Sequence, residues 1–215
     1  MGMSDYFGSW MNVINPNILE NTLKRVSATR FLPQKECVFN AFLKCDYNNL
    51  KVVFLGMDPY PQPGVATGVA FANSIDTQYD KISPSLKVII ESLKANYDDL
   101  PNGEFDITLD SWSRQGVLLL NSALTVYPNK PGSHALIWRP FISNLLNNLS
   151  ERKKGLIFVL FGSQAESFEK HISSSYIIKC QHPSYFARKN MPFPYVFKQI
   201  DDMMIQNGME LIYWL

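Results

Sequence analysis

Four short apolar runs, Lys51–Leu55, Val117–Leu120, Leu156–Phe161 and Tyr176–Cys180, are separated along this chain by stretches with helical spacing. Runs this short fit strands covered on both faces better than buried helices. Strands alternating with helices predict a parallel sheet, because a parallel neighbour needs a crossover and a helix supplies it. The expected fold is α/β: three-layer α/β/α around a central four-stranded, mainly parallel twisted sheet. Each run ends in something polar or conformationally special: Gly56-Met57-Asp58, Asn121-Ser122, Gly162-Ser163 and Gln181-His182-Pro183-Ser184. Parallel strands put all four ends on one rim, where open α/β sheets bind ligands.

The first of these ends is the most informative. In Val52-Val53-Phe54-Leu55-Gly56-Met57-Asp58-Pro59-Tyr60-Pro61, an apolar strand meets a Gly that permits a tight exit, and two prolines stiffen the segment beyond it. Asp58 and Tyr60 are therefore expected to be held rigidly at a strand end. A loop rich in Gly and Pro runs from Asp58 to Ser74. Ser83-Pro84 opens a helix to about Asn96, since Pro suits a first turn. Further helices are expected at Leu109–Arg114, at Trp138–Leu149, after Gly162-Ser163, and from about Tyr195 to Gln206. Before the first strand, residues 1–50 read as helical, from Asn17 onward and again after Pro33, where Val38, Phe39, Phe42 and Leu43 recur at helical spacing. We find no repeat, low-complexity tract or linker, so residues 1–215 are expected to form a single domain.

With 46% hydrophobic residues the chain can bury a real core, and a formal net charge of +1 excludes a strongly basic nucleic-acid coat. Any DNA contact would be local, through a small basic edge, Ser hydroxyls and backbone amides. Cys37, Cys45 and Cys180 are odd in number and lack metal spacing, which fits reduced thiols inside a cell. No Cys/His cluster supports a metal or iron–sulfur site, and no Gly-rich loop ending in Lys-Ser/Thr supports nucleoside triphosphate binding. No 18-residue apolar stretch suits a membrane span, and Met1 to Trp10 lacks a signal-peptide pattern. A cytoplasmic or nuclear protein, not a secreted one, is expected.

Read together, the strand ends resemble family-1 uracil-DNA glycosylases. Gly56-Met57-Asp58-Pro59-Tyr60-Pro61 looks like the water-activating motif, usually Gly-Gln-Asp-Pro-Tyr-His; Gly68-Val69-Ala70-Phe71-Ala72-Asn73 looks like the stretch with the stacking Phe. Ser83-Pro84-Ser85-Leu86 resembles the Pro-rich loop, and Trp112 to Val126 is close to the family's W-x-x-Q-G-V-L-L-L-N-x-x-L-T-V block. His134-Ala135 and Trp138 follow at a familiar distance, and His182-Pro183-Ser184 resembles the start of the leucine loop. The similarity is ordered and runs from about residue 50 to 200. Three departures stand out: Pro61 in place of the usual His, Tyr185-Phe186 in place of Pro-Leu, and Met57 in place of Gln, a position the family uses largely through its backbone.

The resemblance implies a DNA repair enzyme. It would flip deoxyuridine out of DNA, hydrolyse the N-glycosidic bond with water and leave an abasic site, with no cofactor and no lyase step. Asp58 would orient the water and stabilise the sugar cation; His182 would donate to uracil O2. Asn121 would accept from uracil N3–H and donate to O4, a pattern cytosine reverses. Tyr60 would block a 5-methyl group, Phe71 would stack on the base, and Met57 would contact uracil through its backbone. Ser85, Ser184, Tyr185, Phe186 and Arg188 would hold DNA, with Phe186 aligned with the wedge that enters the base stack. Arg188-Lys189 is as readily a solvated pair, and His134 stands between the DNA surface and a structural role. His171 reads as an exposed helix residue. The expected partners are uracil-containing DNA, single- or double-stranded, with uracil as product, and an inhibitor protein or replication factor; a monomer is expected. The competing reading is a glycosylase-like DNA-binding module with weak or lost catalysis, serving a replication or repair partner; Pro61, the altered loop and the modest charge motivate it. A third is a related glycosylase for another damaged base.

Overall fold

The structure is a computed structural model that describes residues 2–97, 105–173 and 176–215. Before the sheet come α1 (Met3–Phe7), α2 (Pro16–Ser27) and α3 (Asn40–Lys44). The sheet and its flanking helices follow as β1 (Val52–Gly56), α4 (Pro84–Asn96), α5 (Asp110–Arg114), β2 (Val117–Asn121), α6 (Ala135–Arg152), β3 (Ile157–Phe161), α7 (Gly162–Glu166), β4 (Ile177–Cys180), α8 (Pro183–Lys189) and α9 (Val196–Gln206). The strand order is β2-β1-β3-β4, and every pairing is parallel. The chain leaves β1 toward β2 and leaves β3 toward β4, on opposite sides. The crevice between the carboxyl ends of β1 and β3 is therefore the switch point at which such sheets bind ligands.

The period-2 geometry of the strands splits the core into two layers. Val53, Leu55, Leu118, Leu120, Phe158 and Leu160 face a cluster completed by the residues before β1 and by α6. Val52, Phe54, Val117, Leu119, Ile157, Val159 and Phe161 face the opposite cluster, which holds α4, α5, α9 and Trp214. All these strand residues are 0–1% exposed, which is why they read as unbroken apolar runs in the sequence.

The helix expected after Pro33 is instead a short turn, Lys35–Cys37, followed by α3. In a continuous helix the Ala41 amide would bond the Cys37 carbonyl. Here the Ala41 N–H donates to the Gly68 carbonyl, 3.3 Å, and a Cβ at Gly68 would lie 1.7 Å from the Cys37 oxygen. Gly68, at φ +82°, thus sits between the two helix partners, and only a glycine fits there. The Asn40 side-chain amide donates to the Thr67 carbonyl at 2.7 Å. The helical N-terminal part therefore grips the loop after β1. Among the described residues no helix is long and apolar enough to cross a membrane.

Candidate active site

The loop after β1, the end of β2 and the turn after β4 meet at one small cleft. Asp58, Tyr60, Phe71, Asn121 and His182 all line it, together with Pro59 and the backbone of Ala66 to Val69. These residues span more than a hundred positions in sequence and share the carboxyl rim of the sheet.

Asp58 directs one carboxylate oxygen, Oδ2, at the Gly132 N–H, 2.5 Å away. No described residue donates to its other oxygen, which is left for water or substrate. Burial holds the carboxyl above the usual carboxylate range, and the Gly132 hydrogen bond pulls only partly the other way. Gly132 lies two residues before His134, which is 3% exposed in a closed chain of hydrogen bonds. The Trp138 indole N–H donates to Thr125 Oγ1 (2.7 Å), and Thr125 Oγ1 lies 2.9 Å from His134 Nδ1. His134 Nε2 is 3.2 Å from Thr29 Oγ1, which donates to the Val26 carbonyl. Every proton in the chain is used once if His134 carries its own on Nε2. His134 is therefore a structural residue that ties α2 to the segment holding Asp58, not a DNA-surface group.

His182 caps α8 with its ring. Its Nδ1 accepts from the Ser184 backbone N–H at 3.2 Å and lies 2.9 Å from Ser184 Oγ, to which Arg188 donates at 3.3 Å. An Nδ1 that accepts a backbone N–H cannot carry a proton, so the proton of the neutral ring is on Nε2. Burial, with a smaller contribution from Arg188, lowers the imidazole to about 4. The ring is thus neutral near pH 7 and offers one N–H donor. Phe71 sits 5.6 Å from it, centroid to centroid, and 5.1 Å from Phe161.

Asn121 ends β2 opposite Gly56. Its amide makes no hydrogen bond to another described residue. A Cβ at Gly56 would lie 2.5 Å from Asn121 Oδ1 and 3.3 Å from the Phe71 ring. Gly56 does not have a positive φ, so it serves less as a tight exit than as space for the Asn121 amide. Gly56→Ala is expected to leave the melting temperature nearly unchanged, because a side-chain end can swing aside. It should lower any turnover in the cleft by about 10²-fold, the cost of a misplaced contact. Thermal melting and turnover, measured together, check this.

A family model described as uracil DNA glycosylase superfamily matches residues 43–202. The chain belongs to that superfamily. A uracil-DNA glycosylase of Fusobacterium nucleatum is 43% identical over 159 residues, covering 71% of this chain and 66% of that protein. One from Gallid herpesvirus 2 is 36% identical over 205 residues, covering 92% of this chain and 63% of that protein. One from Campylobacter jejuni is 38% identical over 182 residues, covering 83% and 72%. The chain thus spans slightly less than two thirds of the first two relatives. The crystal structure of mimivirus uracil-DNA glycosylase shares the fold, with a TM-score of 0.74 over 99% of this chain and 91% of that one at 24% identity.

Within this glycosylase fold the other expected contacts fall unevenly. Met57 does not line the cleft: its side chain turns toward Gly132, and its carbonyl accepts from Ser122 Oγ at 2.7 Å and from the Ala123 N–H at 3.0 Å. Ser85 is 5% exposed in the first turn of α4. The Ser184 hydroxyl and amide are both engaged with His182 rather than standing free for a phosphate. Phe186 is a correction: it is buried, 5.3 Å from Phe193, and does not stand out as a wedge. The segment expected to be a loop is helix α8, and its period buries Pro183 and Phe186, leaves Tyr185 partly buried against the same core, and exposes Arg188 and Lys189. His171 is half-buried in a short turn rather than exposed on a helix. Sequence reasoning missed Gly132, a backbone donor with no side-chain signature, and Ser83, whose Pro-flanked capping pattern was visible but whose contact with Tyr60 was not.

Proposed function

We propose that this chain excises uracil from DNA as a monofunctional, monomeric glycosylase acting inside the cell. The observation that carries the reading is the convergence of Asp58, Tyr60, Phe71, Asn121 and His182 on one cleft. Asn121, free of described protein partners, accepts from uracil N3–H and donates to O4. The Nε2–H of His182 donates to O2, where charge builds as the bond to the sugar breaks. The free oxygen of Asp58 orients the attacking water and stabilises the sugar cation, and the water adds to C1′ as uracil leaves. No cofactor enters this scheme. Flipped deoxyuridine in single- or double-stranded DNA is the substrate, and Arg188, exposed on α8, meets the strand backbone. A mimivirus UNG variant has been crystallised in complex with UGI, and a protein inhibitor of that kind is a candidate partner here.

Tyr185, the less buried aromatic of α8, is the wedge in this reading, with Phe186 as its support, 5.4 Å away and edge-on. Tyr185→Ala should lower kcat/KM on duplex substrates about tenfold more than on single strands, since only a duplex leaves a gap in a stack to fill. Equal losses on both would remove the wedge.

The reading also fixes the pH dependence. Asp58 must be charged and His182 neutral. Both conditions hold above the raised Asp58 pKa and the His182 value of about 4. Activity should be flat above both and fall as pH drops through the raised Asp58 pKa. A loss of kcat as pH rises from about 6 to about 7 would mean that protonated His182 is the working form. The competing binding-module reading predicts tight binding of uracil-containing DNA that stays intact; single-turnover release of free uracil separates the two.

A further inference from the structure

The base-facing side of Tyr60 is explained by the proposed function; its hydroxyl is not. That hydroxyl lies 2.7 Å from Ser83 Oγ and donates to the Phe71 carbonyl at 3.3 Å. Ser83 is 7% exposed and caps α4, where its Oγ accepts the Leu86 N–H at 3.4 Å. Its own N–H donates to Asn73 Oδ1 at 3.1 Å, so the residue is fixed from two sides. With Ser83 Oγ accepting from the helix, its proton goes to Tyr60 Oη, and the Tyr60 proton goes to the Phe71 carbonyl. One chain of hydrogen bonds thus runs from the N-terminus of α4 through one pocket ring to the backbone of the other.

Phe71 gives this chain its weight. It has φ +68°, a left-handed conformation that a bulky residue keeps only when its surroundings impose it. The Tyr60 hydroxyl is one of the groups that impose it. The Ala70 N–H on the Leu119 carbonyl, 3.0 Å, and the Asn73 N–H on the Ile107 carbonyl, 2.9 Å, hold the segment on either side. We propose that Ser83 is a positioning residue for base selectivity: through the Tyr60 hydroxyl it holds the ring that excludes a 5-substituent and the backbone of the ring that stacks on the base. The inference rests on the uracil reading of the cleft and adds to it the residue that keeps the cleft narrow. Without the Ser83 hydroxyl, the tip of Tyr60 keeps only its longer bond and can swing away from the 5-position.

The test measures kcat/KM for uracil, 5-bromouracil and thymine in one sequence context, in the parent, Ser83→Ala, Ser83→Gly, Tyr60→Phe and the Tyr60→Phe/Ser83→Ala double variant. Gly is a tolerated helix cap, so Ser83→Gly removes the hydroxyl with the least harm to α4. Tyr60→Phe removes the hydroxyl from the other end and leaves the cap untouched. The expected result is that preference for uracil over 5-bromouracil falls about tenfold in each single variant. In the Tyr60→Phe background, Ser83→Ala should cost no further selectivity, because its route to the base is already cut. Unchanged selectivity in both Ser83 variants, with only a lower melting temperature, would overturn the proposal and leave Ser83 as a cap. So would a second, equal loss in the double variant. A parent that releases no uracil would instead count against the proposed function. Binding of free uracil and free 5-bromouracil to the same variants would then still read the pocket, with the same tenfold change expected and no change overturning the proposal.

Discussion

Asp58→Asn should slow uracil release by about 10²–10⁴-fold, the range over which a positioned acid or base contributes. The substitution is nearly isosteric. An Asn side-chain oxygen can still accept the Gly132 N–H, so the loop after β1 and the link through His134 to α2 should survive. What is lost is the negative charge facing the cleft and its ability to orient water. Burial makes that charge expensive to hold and therefore effective against a developing cation. Binding of uracil-containing DNA should be unchanged, or slightly tighter because a buried charge near phosphates is gone. Single-turnover kinetics with a parallel binding titration checks both halves. Equal rates in variant and parent would remove Asp58 from the mechanism.

Asn121→Asp should shrink the preference for uracil over cytosine by at least about 10²-fold. A site that pairs buried polar groups with its ligand rejects the reversed pattern by up to about 10⁴–10⁵, far more than a size difference can. Asn121 meets the conditions for such a site: its amide has no described protein partner, it sits against Gly56, and it lines the cleft with His182 and Phe71. A carboxylate there cannot donate to uracil O4. When protonated, it can accept from the cytosine amino group through one oxygen and donate to cytosine N3 through the other. Uracil release should fall while cytosine release becomes detectable. The measurement is kcat/KM on oligonucleotides that differ only in that base; an unchanged ratio would show that the base is read elsewhere.

The sheet was legible in the sequence because its strands are covered on both faces. Phe54, Leu119 and Val159 had to be apolar, and so did their neighbours on the other face, which leaves short unbroken runs. The strand ends were legible for the complementary reason: Asp58, Asn121 and His182 interrupt those runs at equivalent places. What stayed hidden depends on contacts distant in sequence. Nothing local to Cys37 or Ala41 tells that Gly68 will separate them, 27 residues after the alanine. His134 looked ambiguous because its partners, Thr29 and Thr125, lie on other segments. The inward turn of Phe186 was hidden because Pro183 suits the start of a loop as well as that of a helix. As the first residue of a seven-residue helix it turns Phe186 inward and leaves Tyr185 only partly buried.

The central claim is that a neutral amide free of described protein partners and a half-buried carboxylate, both on one sheet rim, select and release uracil. Its most direct test incubates the protein, with chelator present, with matched oligonucleotides carrying a single uracil, thymine or cytosine, followed by alkali. The predicted result is strand cleavage at uracil alone, with free uracil recovered in equal amount. Intact uracil-containing DNA that the folded protein nevertheless binds would contradict the claim and make Pro61→His the first substitution to try.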